Sequence, residues 1–134
     1  MNMQIVAESK SVRVSPRKAR LVADVIRRMS ATDAVKTLSI ISKRVGIPLE
    51  KTLKSAIANA VYNNQLSEEN LVIERIDISE GQAMKRYQPS TRGRTHPYKK
   101  RTSHIRIVLK DKTTDSKPEV KNKKDELKKE GEEK

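Results

Sequence analysis

Between Gly81 and Thr102 the chain offers a hydrophobic core almost nothing. Apart from Pro89 and Pro97, its only apolar or aromatic side chains are Ala83, Met84, Tyr87 and Tyr98, while seven others are Lys or Arg. Such a stretch cannot lie inside a domain, because buried cations need partners and the segment supplies none. Yet it connects two runs with strand character. Leu71–Ile78 (LVIERIDI) is rich in β-branched residues. Ser103–Leu109 (SHIRIVL) alternates, with Ile105, Ile107 and Leu109 on one face and Arg106 on the other. A chain that leaves one strand, stays out of the core and returns as the next strand fits an extended β-hairpin, with Pro89 and Gly93 near its turn. With about 11 residues per arm at roughly 3.3 Å each, it reaches on the order of 35 Å from the body. The alternative is a basic loop without fixed structure. In either case so polar a segment is ordered chiefly by its partner.

The charge pattern says what that partner is. The chain has 30 Lys+Arg against 17 Asp+Glu in 134 residues, a formal net charge of +13. Residues 1–30, 31–80, 81–110 and 111–134 carry balances of +5, −1, +9 and 0, and residues 81–110 contain no carboxylate at all. Charge runs are ordinarily solvated faces. Thirty residues without one carboxylate repel themselves unless a polyanion neutralises them, so a nucleic acid is the expected partner.

Other classes are excluded by what the sequence lacks. The length is that of one domain with an appendage. Without Cys there is no disulfide framework and no thiolate metal site. No run of about 18 apolar residues is present, which argues against a membrane span. The first residues have no apolar signal core and already carry Glu8 and Lys10, so a soluble cytoplasmic protein is expected. No catalytic constellation assembles. His96 and His104 are the only histidines, and both lie in the carboxylate-free segment. Ser103 and His104 are strand neighbours that point to opposite faces. Asp77 and Glu80 are too poorly placed to share a metal, and the four glycines are isolated rather than gathered in a phosphate loop. The expectation is a protein that is not an enzyme and uses no cofactor or metal.

The rest of the chain reads as a small α+β body: a three-stranded antiparallel sheet with three helices on one face and the long hairpin protruding. Residues 3–14 alternate loosely as a strand. Ser15-Pro16 marks a helix start, with Ser15 as N-cap and Pro16 at the first helical position. Ala19, Val22, Ile26 and Met29 give that helix its apolar stripe, which Leu21 and Val25 widen. A second helix is expected to start with Thr32 as N-cap and Asp33 in the first turn. The third carries Leu49, Leu53, Ile57, Ala60 and Val61, and Pro48 either starts it or kinks a longer helix beginning near Ser42. The domain is expected to span 1–110, with the hairpin at about 81–102. Residues 111–134, with Val120 and Leu127 as their only large apolar side chains, are expected to form a disordered charged tail.

Within this frame the candidate RNA-contacting residues fall in two groups. Arg13, Ser15, Arg17, Lys18 and Arg20 crowd the start of the first helix, where cations oppose the helix dipole and so mark an anion site. Along the hairpin, Lys85, Arg86, Arg92, Arg94, Lys99, Lys100 and Arg101 neutralise phosphates, and the arginines add bidentate contacts. Tyr87 and Tyr98 either stack on unpaired bases or form cross-strand pairs within the hairpin.

Three segments in register, Val14–Val22 (VSPRKARLV), Leu53–Ala60 (LKSAIANA) and Met84–His104 with its Met-Lys-Arg, Gly93-Arg94 and Lys-Arg-Thr-Ser-His elements, resemble the bacterial family of large-subunit ribosomal protein twenty-two over residues 3–110. The resemblance implies a non-enzymatic protein that binds large-subunit ribosomal RNA near the outer opening of the peptide exit tunnel and supports subunit assembly. It implies that the hairpin runs inward to line the tunnel. By position, Met84, Ser90, Thr91 and Arg92 would lie at the tunnel-lining tip, and Lys100, Arg101, Ser103 and His104 would contact RNA from the returning arm and its base. Neighbouring large-subunit proteins and the nascent peptide would be further partners. Gln82 and Ser90 stand where the family usually has Pro and Arg. A free-standing RNA-binding or RNA-chaperone module is the alternative that the charge pattern alone allows.

Overall fold

A computed structural model describes residues 4–112. Its central strand is the last in sequence. β5 (Ser103–Asp111) lies between β1 (Ile5–Val12) and β2 (Leu71–Glu80), antiparallel to both. The alternation read from the sequence sets the faces: Ile105, Ile107 and Leu109 are buried under the helices. Register puts Ile5 and Ala7 beside Leu109 and Ile107 on one flank, and Ile76 and Ile78 beside Ile107 and Ile105 on the other. β1 is shorter than expected. Its pairing breaks between Ser9 and Val12, where Ser11 takes a left-handed conformation.

The first helix, α1 (Pro16–Ile26), buries Ala19, Val22, Ala23 and Ile26. Leu21 and Val25 do not widen this stripe. They are 63% and 52% exposed, because the small Ala19 and Ala23 bring the helix close enough to fill its contact with the sheet. α2 (Ala31–Ile40) is capped two residues earlier than expected. The Ser30 hydroxyl accepts the Asp33 N–H at 3.2 Å and donates to the Asp33 carboxylate at 2.8 Å, which uses both partners more fully than a Thr32 cap could.

α3 (Gly46–Asn64) settles the place of Pro48. It lies in the first turn, where the missing N–H leaves no bond unmade, and there is no longer helix from Ser42 for it to kink. Gly46 is needed there. A Cβ at this position would sit 3.2 Å from the Leu38 and Ile41 carbonyl oxygens at the end of α2. Leu49, Leu53, Ala56 and Ala60 face the sheet fully buried. Gln65 ends the helix in the left-handed region, its N–H and that of Leu66 closing on the Val61 and Ala60 carbonyls.

The hairpin forms a separate two-stranded ladder, β3 (Met84–Pro89) with β4 (Thr95–Lys100). Each paired arm has six residues, roughly 20 Å of ladder rather than 35 Å. The difference is a neck. Gly81 N–H donates to the Thr102 carbonyl at 2.9 Å, and Thr102 Oγ1 donates to the Gln82 carbonyl at 2.7 Å. A Cβ on Gly81 would run into that Thr102 hydroxyl. Asp111, expected at the start of the tail, instead pairs with Leu71 at the end of β5. The tail expectation otherwise falls from residue 113 onward, outside the described residues.

Candidate nucleic-acid interface

The hairpin and body meet around a groove of about 820 Å³. Arg13 and Lys18 enter it from the approach to α1 and from its first turn. Lys43 and Arg44 come from the α2–α3 connection, and Arg86, Lys100 and Arg101 from the base of the hairpin. No carboxylate lines it. On the body, ion pairs join Lys10 to Glu8, Arg27 to Asp24, Lys36 to Asp33, Lys54 to Glu50 and Arg75 to Asp77. None uses a groove or hairpin cation. Those five carboxylates are engaged elsewhere on the body, and none lines the groove to offset its cations.

The start of α1 adds to that field. Ser15 has the extended backbone of an N-cap, but its hydroxyl makes no capping bond, contrary to expectation, and no acidic residue occupies the first turn. The start of α1 thus carries no local anion, and its Ser15 and Lys18 line the groove. Arg20 is directed elsewhere: its Nη2 donates to the Ile78 carbonyl at 3.2 Å, tying α1 to the sheet edge.

Register fixes what the hairpin shows on each side. Met84, Arg86 and Gln88 share a face with Lys100, Tyr98 and His96. Lys85, Tyr87 and Pro89 share the other with Lys99, Pro97 and Thr95. The two tyrosines are therefore on opposite faces and do not pair with each other. Tyr98 stands opposite Arg86, Tyr87 opposite Pro97, and both are exposed. The tip is a tight turn in which Arg92 and Gly93 both have positive φ, with Arg94 N–H donating to the Thr91 carbonyl at 3.3 Å, as a type I′ hairpin turn requires. Arg92 and Arg94 project from it without a carboxylate partner among the described residues.

Two sequence expectations, for Met84 and Ser103, are corrected here. Met84 is not at the tip. It pairs with Lys100 at the base of the hairpin and lines the groove, whereas Ser90, Thr91 and Arg92 are at the turn. Ser103 is wholly buried, and its Oγ has no hydrogen-bond partner, so it has no surface to give a ligand. His104 is engaged within the fold, its Nδ1 accepting the Ser11 N–H at 2.9 Å where β1 bulges. Conversely, Lys43 and Arg44 were missed. Both lie in the segment whose overall balance is −1, and only folding separates them from its carboxylates.

Among the described residues no group of three His, Asp or Glu side chains is placed to hold a metal ion, and no helix is long and apolar enough to cross a membrane. A carboxylate-free cationic groove that continues into a charged two-stranded arm presents the kind of surface charge that a polyanion neutralises. The chain belongs to the ribosomal protein L22p/L17e family, whose match covers residues 7–110. It is 46% identical to the large ribosomal subunit protein uL22 of Mycoplasma mobile over 110 residues, 82% of this chain and all of the relative. It is 48% identical to that of Metamycoplasma arthritidis over 106 residues, 79% of this chain and half of that longer relative.

Proposed function

We propose that this protein is a structural constituent of the large subunit of the cytoplasmic bacterial ribosome. In this reading the body binds large-subunit ribosomal RNA through the groove, and the hairpin extends the same contact between RNA segments toward the peptide exit tunnel. The observation that carries it is the continuity of the cationic groove with the hairpin, both free of carboxylates, on a body where Glu8, Asp24, Asp33, Glu50 and Asp77 pair with other cations. Phosphates would neutralise the cations, and the exposed faces of Tyr87 and Tyr98 would take unpaired bases. The turn at Thr91–Gly93 would meet the tunnel wall and the nascent peptide, while neighbouring large-subunit proteins would meet the helical side of the body.

The test is sedimentation and footprinting together. The protein should stay with large subunits through a high-salt wash. A radical-generating probe tethered at Thr91 should cut ribosomal RNA lining the tunnel, and one tethered at Lys54 should not. Release in the wash would favour a free-standing RNA chaperone. Cleavage confined to the subunit surface would refute the placement of the hairpin.

A further inference from the structure

The groove has a floor as well as a rim. Val14, Leu21, Val45 and Met84 give it an aliphatic lining, here called the floor, beside the cations that form its rim. Leu21 is the telling one, an aliphatic side chain left 63% exposed on a helix whose core contact is complete without it. A regular RNA backbone would meet the rim well and the floor badly, because phosphates and riboses pressed against aliphatic carbon lose water without gaining a hydrogen bond. A nucleotide turned out of its helix meets both. Its base has an apolar face for the floor, and its own and flanking phosphates reach the rim. The groove volume lies within the roughly 300–1,000 Å³ typical of small-ligand sites.

We propose that this groove receives a single unpaired, extruded nucleotide of the RNA, with the base on Leu21 and Met84 and the adjoining phosphates on Lys18, Arg44 and Arg101. The proposal rests on the RNA-binding reading above and refines it. No carboxylate or side-chain amide lines the groove, and the Thr102 hydroxyl is already given to the Gln82 carbonyl. Ser15, whose hydroxyl makes no capping bond, and the rim cations are the groups left to reach a base edge, so the site selects first for a base that is unpaired.

The test uses two short RNA hairpins, identical except that one carries a single bulged 2-aminopurine nucleotide. The full-length protein should bind the bulged RNA about tenfold more tightly than the paired one, with a change in 2-aminopurine fluorescence. Leu21→Ser should reduce the bulged RNA to the affinity of the paired one and leave the paired one unchanged. Leu21→Met should keep the preference. So should Val25→Ser, which alters an exposed aliphatic residue one turn along that does not line the groove. Equal binding of the two RNAs by the unaltered protein, or a preference that survives Leu21→Ser, overturns the nucleotide site while leaving salt-sensitive RNA binding in place. Failure to bind either RNA overturns both readings.

Discussion

Ser103 and Gly81 lie within a few ångströms of the same neck and show opposite kinds of constraint. The Ser103 hydroxyl is buried without a partner, which costs free energy that an alanine would not. Ser103→Ala should therefore stabilise the body by about 1 kcal/mol in urea unfolding and leave RNA affinity unchanged. A loss of affinity would restore Ser103 to the binding surface. Gly81 has the reverse character, since any side chain there collides with the Thr102 hydroxyl that brackets Gln82. Gly81→Ala should cost roughly 1–3 kcal/mol, with part recovered when Thr102→Ala removes the obstacle. A single variant as stable as the parent would show that the neck yields freely. At this scale the sequence was only partly legible. Residue type marks Ser103 as polar and His104 as a candidate contact, but strand register decides that one faces the core and the other accepts the Ser11 N–H.

Among the elements, the hairpin and α3 divide the work. α3 buries Leu49, Leu53 and Ala56 at zero exposure, while β3 and β4 bury no side chain. Leu53→Ala should cost about 2–5 kcal/mol through lost burial and the cavity left behind. Replacing residues 83–100 with a short turn should leave the circular dichroism of the helices and the unfolding midpoint of the body nearly unchanged, because the Gly81–Thr102 bond still closes the sheet. An unfolded product would refute an independent body. Elements with a strong period were legible: α3 and the two strands that flank the hairpin follow directly from their apolar spacing. Boundaries set by a single polar contact were not. The α2 cap moved from Thr32 to Ser30 because Ser30 both accepts from and donates to Asp33, a reciprocity that spacing does not reveal. Leu21 was misread for a related reason, since an apolar stripe indicates which side chains could be buried and packing distance decides how many are.

For the molecule as a whole, the claim is that folding sorts charge. Carboxylates pair on the body, and the cations of the groove and hairpin are left for one polyanion. The basic hairpin was visible in the sequence because its thirty-residue window has no acid. Two of the seven groove cations were not, because Lys43 and Arg44 share their window with seven carboxylates. The most direct test is the salt dependence of binding to a large-subunit RNA fragment. Neutralising about seven phosphates predicts a log–log slope near −5 or steeper. With Lys43, Arg44, Lys100 and Arg101 all changed to Gln, seven of the eleven groove and hairpin cations remain and the slope should become shallower by about 2. A slope already as shallow as −2 in the unaltered protein, or one unmoved by the four substitutions, would contradict the account.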